Sequence, residues 1–287
     1  MCYNMDVNAG QAAANQSPDT TLHVAVIGGG IIGAILALGL LQRGIRVTVY
    51  ERAAEIHETG AAFAFTGVAR ECMRRLDPHI LDALNAVGEK NRHQFNRYWD
   101  GFHPTTKEEA QDDSAVLFQV SARELDYCGC LRSHLLHKMA ALLPENVIQF
   151  RKQLQSYEDN PDRSKVVLHF ADGTTAEADA GKLPSYCSPY EEGLILSYAS
   201  LVVGCDGIHS RTRQLVLGED HAAARATYSH KVAYRAVVPI DGGVEALGAD
   251  KANNQCAHLG PDGHTVSFPV STTSEKIRRG VWRLVDN

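Results

Sequence analysis

A chain of 287 residues, 44% hydrophobic and 22% charged, has the composition of a soluble globular protein with one large or two intimately packed domains. Its formal net charge of −6 offers no electrostatic footprint for nucleic acid or for an anionic membrane surface. Seven scattered cysteines, an odd number with no secretory leader in front of them, point to reduced thiols and a cytoplasmic location.

Residues 1–21, polar and rich in Asn, Gln and Ala, read as a disordered tail. A buried strand follows from Val24 to Ile27 and enters Gly28-x-Gly30-x-x-Gly33. A helix then runs to Gln42, and a second strand, Val47 to Tyr50, ends on Glu51. In such a unit Gly28 permits the tight turn, Gly30 lets backbone approach a pyrophosphate, and Gly33 lets the helix pack close to the sheet. The helix N-terminus supplies free N–H groups and a positive dipole to phosphates. Glu51, 18 residues past Gly33, stands where a carboxylate accepts hydrogen bonds from an adenosine ribose. Together these features read as a dinucleotide site.

One rival reading concerns Val24–Leu41, 18 residues without a charge and near the lower limit for a membrane span. Five glycines in that run, and no Lys or Arg before it, argue against a span or anchor. No membrane span is expected.

After Glu51 comes a connection through Gly60–Thr66, then helical patterns near 68–76 and 79–87, the second opened by Asp77-Pro78. Residues 93–99 and 115–120 have strand character. Arg132-Ser133 opens an amphipathic helix that Pro144 ends. Lys165–Phe170, the turn Ala171-Asp-Gly173, and Thr174–Asp179 form a hairpin. Strand Leu201–Val203 runs into Gly204-Cys-Asp206-Gly207-Ile-His-Ser210-Arg-Thr-Arg213. Lys231–Val238 and His264–Phe268 alternate as strands of a second sheet. Cys128-x-Cys130 has the wrong spacing for a zinc knuckle, and the thirteen histidines show no ligand pattern, so no metal site is expected.

The glycine turn with Glu51, the Arg132 helix and Asp206-Gly207-x-x-Ser210-x-x-Arg213, in this order, resemble the class A flavin-dependent aromatic hydroxylases of the salicylate and p-hydroxybenzoate hydroxylase group. Tyr98-Trp-Asp-Gly-Phe-His103, Tyr228-Ser-His-Lys231, Ala233-Tyr-Arg235 and His258-Leu-Gly-Pro261 are similar to fungal members that hydroxylate, often with dearomatisation, phenolic polyketides of secondary metabolism. The resemblance spans about residues 22–270 and implies an α/β fold. In it a Rossmann-like FAD-binding domain (22–90 and 128–213) is interleaved with a β-sheet substrate domain (91–127 and 214–270). It also implies FAD, NADPH or NADH as reductant, O2 and a small aromatic substrate. The family's flavin contacts fall on Gly28, Gly30, Gly33, Glu51, Ala64 and Arg132. A solvated helix-start charge is the other reading of Arg132. For Asp206 and Arg213 a salt bridge closing a loop stands beside the functional reading.

The resemblance also implies that a cation holds the phenol as an electron-rich phenolate, and it places that cation at Arg235. A guanidinium there would lower the phenol's pKa, whereas an outward-facing strand charge is the alternative. The tyrosine that some relatives pair with this arginine falls on Phe268. Tyr127 would supply the missing hydroxyl from the other side of the pocket, or serve as an ordinary core aromatic. A nicotinamide-only reductase is disfavoured, since nothing resembles a catalytic Tyr-x-x-x-Lys.

Two departures from the family stand out. Residues 180–200 interrupt what would otherwise read Thr-Ala-Glu-Ala-Asp-Leu-Val-Val-Gly, and are expected to be a retained intron or a surface insertion. The tail 271–287 lacks the family pattern, and the C-terminal Gly-Asp-Ala-Ala-His segment at the flavin pyrophosphate has no counterpart. The C-terminal part is therefore expected to be missing, and an inactive flavoprotein fragment is the alternative to an active monooxygenase.

Overall fold

The computed structural model describes residues 22–56, 62–103, 106, 115–121, 127–159, 165–182, 198–270 and 278–286. Strand β1 (His23–Ile27) leads through the glycine turn into α1 (Ile31–Leu41) and back to β2 (Arg46–Tyr50). β1 is apolar on both faces because both are covered, and Val24, Ala25, Val26 and Ile27 are all buried. The uncharged run is thus split between a short buried strand and an 11-residue helix. Among the described residues no helix is long and apolar enough to cross a membrane.

β3 (Ala62–Phe65) follows, at residues the sequence reading assigned to a connection. Helices α2 (Gly67–Leu76) and α3 (Pro78–Val87) come next, close to the expected bounds. Thr66 caps α2 by accepting from Ala69 N at 3.4 Å. Asp77 caps α3 through His79 N at 2.9 Å, with Pro78 fixing the first turn. β4 (Glu89–Lys90), β5 (Phe95–Asp100), β6 (Val116–Ser121) and β7 (Cys128–Leu131) precede α4 (Arg132–Ala140). α1, α2, α3 and α4 share one apolar core that includes Leu38, Met73, Leu84, Leu135 and Met139.

Beyond α4 lie β8 (Ile148–Gln149), β9 (Leu154–Asp159), β10 (Lys165–Phe170), β11 (Thr175–Lys182), β12 (Tyr198–Gly204) and α5 (Arg211–Leu217). These strands build a seven-stranded sheet in the order β8-β2-β1-β12-β11-β10-β9. β8, β2, β1 and β12 run parallel, and the β9–β10–β11 meander is antiparallel. β11 pairs with β10 through 175–179, and β12 pairs with β1 through 201–204. Among the described residues of the insertion, Ala180 pairs with Ser200 and Lys182 with Tyr198. The interruption therefore begins as an antiparallel stem whose two ends meet at the sheet. Its remainder, 183–197, lies outside the described residues.

The chain closes with β13 (Lys231–Pro239), α6 (Ile240–Leu247), α7 (Ala249–Ala252), β14 (Cys256–Gly260), β15 (Gly263–Val270) and β16 (Arg278–Asp286). A six-stranded sheet forms in the order β13-β16-β15-β14-β5-β6, while β3-β7-β4 make a small third sheet. The segment 271–287, set aside from its sequence as a divergent tail, thus supplies β16, paired antiparallel with both β13 and β15. Its Gly-Val-Trp-Arg-Leu-Val run is rich in residues that favour strands but does not alternate apolar with polar.

Candidate functional site

At the end of β1 the backbone turns at Gly28, whose φ is +105°. A Cβ there would stand 2.5 Å from Cys205 O, so backbone alone fits between β1 and the loop after β12. A Cβ on Gly33 would stand 2.0 Å from Gly28 O, which is how α1 comes to sit directly on the turn. No side chain caps α1 and no acid occupies its first turn, so its N-terminal N–H groups face an open cleft.

Glu51 closes the turn from the neighbouring strand. Its Oε2 accepts from Gly29 N at 2.6 Å and its Oε1 from Ala53 N at 2.8 Å. Arg132 begins α4 immediately after β7 and reaches across the turn; a Cβ on Gly30 would lie 3.4 Å from its Nη2. Gly28, Gly30, Glu51 and Arg132 line a single cleft of about 920 Å³. Gly33 stands behind the turn and shapes the cleft without lining it.

Further lining residues were not singled out from the sequence. Arg52, Lys152, Arg211 and His209 add cationic or ionisable groups. Lys152 donates to Asp172 Oδ2 and Thr174 Oγ1, each at 2.7 Å. Arg211 donates to Gln155 O at 2.9 Å and Glu219 Oε1 at 2.6 Å. Lys152 arrives beside Glu51 because β8 pairs with β2, with Lys152 N bonding Glu51 O at 2.8 Å. That is a long-range pairing with no local sequence signal.

The Asp206 loop closes the far side of the cleft. Burial would raise the Asp206 pKa, but hydrogen bonds from Ser210 Oγ (2.6 Å) and Thr212 N and Oγ1 (2.9 and 3.1 Å) outweigh it and hold the carboxyl below its usual range. Arg213 works on other partners, donating to Ile208 O at 2.7 Å and Ala224 O at 3.1 Å. The two charges therefore brace one loop from separate anchor points, where a salt bridge between them was one of the readings.

The remaining candidates lie toward the six-stranded sheet. Ala64 of β3 pairs with Gly129 of β7 and packs, half-buried, against Phe268, Val270, Ala62 and Leu131. Tyr127 is half-buried just before β7. Arg235 is exposed on β13. The register settles which face Arg235 occupies: through position 282 it aligns with Val266, while Val237 aligns through 280 with Phe268. Those apolar residues pack on Ala62 and Leu131 of the small sheet. Arg235 thus belongs to the sheet face turned toward β3 and β7. The opposite face carries Trp99 and His258 under α7, with Lys251 Nζ 3.5 Å from the Trp99 ring centroid. Burial first and Lys251 second pull the His258 pKa down to about 4.

Cys128 and Cys130 are buried one residue apart on β7, and burial pushes the Cys130 thiol up to about 12. Among the described residues no group of three His, Cys, Asp or Glu is arranged to hold a metal ion.

The cleft fits the ADP half of a flavin dinucleotide. A positive-φ glycine leaves room only for backbone, uncapped N–H groups and Arg132 face the position of a pyrophosphate, and Glu51 offers carboxylate lone pairs one strand away.

Comparison with known proteins agrees. Residues 23–125 match the family described as FAD dependent oxidoreductase. An FAD-dependent monooxygenase of Aspergillus terreus is 55% identical over 250 residues, covering 87% of this chain and 53% of the relative. The salicylate hydroxylase asL1 of Sarocladium schorii is 38% identical over 267 residues, covering 90% of this chain and 50% of the relative. The chain spans about half the length of the curated relatives it matches. Among solved structures, a salicylate hydroxylase substrate complex superposes with a TM-score of 0.65 at 22% identity, over 93% of this chain and 56% of that one. Klebsiella pneumoniae HpxO complexed with FAD and uric acid gives 0.64 at 22%, over 91% and 56%. These two likenesses speak to the fold.

Proposed function

We propose that this chain, which belongs to the salicylate-hydroxylase-like FAD-dependent monooxygenases, forms the FAD cleft and substrate sheet of an enzyme that hydroxylates a phenolic aromatic compound of the polyketide type. NADPH or NADH serves as reductant, O2 as co-substrate, and the setting is cytoplasmic secondary metabolism. The observation that carries the reading is the convergence of Glu51, the uncapped start of α1 and Arg132 on one cleft, in a chain 55% identical to a fungal FAD-dependent monooxygenase.

Glu51 accepts from the ribose, Gly28 and Gly30 let the pyrophosphate approach the backbone, and Arg132 neutralises phosphate charge above Gly30. Bound FAD, once reduced, supplies activated oxygen to an electron-rich ring. Arg235 serves that chemistry by holding the substrate's hydroxyl as phenolate, since an ever-charged guanidinium lowers the pKa of a phenol beside it. Tyr127 offers a hydroxyl from the β7 side. β3 and β7 form the partition between cofactor and sheet, so Ala64 and Gly129 exclude water by close backbone packing.

A flavin-binding module without turnover is the second reading, favoured by a cleft whose lining, Glu51 and Arg132 included, accounts for cofactor binding alone while Arg235 is exposed on β13. Titration of the purified chain with FAD, followed by flavin fluorescence, tests the shared premise; absence of saturable binding overturns both readings. Phenol-stimulated oxidation of NADPH or NADH by the FAD-loaded chain then separates them. Stimulated oxidation with hydroxylated product supports the enzyme, and bound flavin without it supports the module.

A further inference from the structure

Tyr98 of β5 belongs to the same sheet face as Arg235. The cross-strand register runs from Tyr98 to Ala257 of β14, to Val266 of β15, and through position 282 of β16 to Arg235 of β13. The Tyr98 ring stacks on Phe118 of β6, with centroids 4.4 Å apart and planes 13° from parallel. Neither ring is sealed into a core: Tyr98 is half-buried and Phe118 is 49% exposed. Tyr127 approaches from the start of β7, close enough that its charge, after burial, contributes to raising the Tyr98 pKa. Two phenol hydroxyls and a flat aromatic pair thus gather at the β5–β6 end of a face whose other end holds an arginine.

The separation of the two ends limits what can lie between them. Arg235 and Tyr98 are four strand steps apart, about 19 Å between backbones at roughly 4.8 Å per step. Side chains stand roughly perpendicular to a sheet, so most of that separation remains between the two groups, more than one benzene ring and its contacts fill. Of the positions between them, Val266 and Ala257 are apolar.

We propose that Tyr98, stacked on Phe118 and flanked by Tyr127, is the far wall of the substrate chamber opposite Arg235, and that this wall selects phenols extended by a second ring or a planar conjugated side chain. The inference rests on the reading of Arg235 as the phenol anchor and adds to it the shape of the substrate. The ring stack contacts the distal part of the ligand, while the two hydroxyls donate to its carbonyl or hydroxyl oxygen. Tyr98 is a specificity residue in this arrangement and takes no part in oxygen transfer.

The full chain, saturated with FAD, is titrated with two probes, a dihydroxybenzaldehyde and a dihydroxynaphthaldehyde. Quenching of Trp99 and Trp282, the chain's two tryptophans, both on strands of this sheet, reports binding. The wild-type chain is expected to bind the two-ring probe about tenfold more tightly than the one-ring probe. Tyr98→Phe, which keeps the stack and loses the hydroxyl, should weaken the two-ring probe about threefold to tenfold. Tyr98→Ala should bring both probes to similar affinity, with one-ring binding and FAD affinity unchanged. Equal affinity of the two probes in the wild type, or a preference that survives Tyr98→Ala, overturns the inference and leaves the phenol reading standing. Failure of the wild-type chain to bind either probe overturns the phenol reading and the inference with it.

Discussion

Replacing Glu51 by alanine probes the cofactor cleft where sequence and structure meet. The carboxylate accepts from Gly29 N at 2.6 Å and Ala53 N at 2.8 Å, so it holds the glycine turn before any ligand arrives. Hydrogen bonds to a charged group contribute about 1.5–3 kcal/mol each. Ala53 lines the open cleft, where water can replace the carboxylate, whereas Gly29 is buried and its N–H loses a charged acceptor, so the stability cost of Glu51→Ala should be about 2–3 kcal/mol. The ribose has no such substitute: once FAD is bound its hydroxyls lose a charged acceptor, and affinity should fall by about 1.5–3 kcal/mol, roughly tenfold to 150-fold. Glu51→Gln should lie between, because its amide oxygen can take one N–H and its amide nitrogen accepts nothing. Urea unfolding gives the first quantity and flavin fluorescence the second. A folded Glu51→Ala chain that binds FAD with wild-type affinity would show that the carboxylate serves the turn alone.

Gly33→Ala puts a methyl group 2.0 Å from Gly28 O. It should cost at least the roughly 1–3 kcal/mol of an overpacked site and abolish FAD binding; a variant melting with the wild type would contradict the close packing of α1 on the turn. Arg235→Ala should leave FAD affinity unchanged and raise the pKa of a bound phenol by about a unit or more, read from the phenolate absorbance band across a pH series. An unshifted band would place the anchor elsewhere. His258, held near 4 in the folded chain by burial and Lys251, takes up its proton first in the unfolded chain, near pH 6.5. Its contribution is therefore complete above about pH 6.5 and lost as pH falls toward 4; about 2 kcal/mol is expected after discounting for its partial exposure. Urea unfolding at both pH values should show a flatter profile for His258→Gln, and identical profiles would refute the assignment. Deleting 180–200 should yield a folded chain with unchanged FAD affinity, because the pairing of β11 with β10 and of β12 with β1 runs through residues outside the insertion. Loss of the folded state on deletion would make the insertion part of the sheet's foundation.

How much of this was legible before the structure depended on sequence distance. The turn from Val24 to Glu51 is local: its glycines, apolar strand and terminal acid all lie within one β-α-β unit, and strand, turn, helix and second strand stand where their spacing put them, with Glu51 bracing the turn through Gly29 N. The capped helices α2 and α3 were readable for the same reason, since Thr66 and Asp77 act on backbone two or three residues away. Lys152 and Arg211 were missed because they reach the cleft through pairing and loop contacts far along the chain. β16 was missed for a different reason. Its Val-Trp-Arg-Leu-Val run does not alternate apolar with polar, so no period-2 signal set it apart, and its pairing with β13 and β15 is long-range. The inward face of β13 could not be read at all, since an alternating strand looks the same whichever face is buried. Only the register through β16 and β15 to Val266 and Phe268 decides it.

The same register explains why one short strand matters to both halves of the site. β7 pairs with β3, placing Gly129 opposite Ala64, and its last residue is followed at once by Arg132 over the glycine turn. On its other side a Cβ at Gly129 would stand 2.7 Å from Phe268 Cδ2 and 2.8 Å from Pro269 O, so the six-stranded sheet rests on bare backbone. Tyr127 lies at one end of this strand and Arg132 at the other. A shift of β7 along its axis would therefore move the Arg132 guanidinium and the Tyr127 phenol together. The buried pair Cys128 and Cys130 and the tight fit at Gly129 leave little room for such a shift. The spacing between the cleft and the six-stranded sheet is accordingly set in the packing of β7.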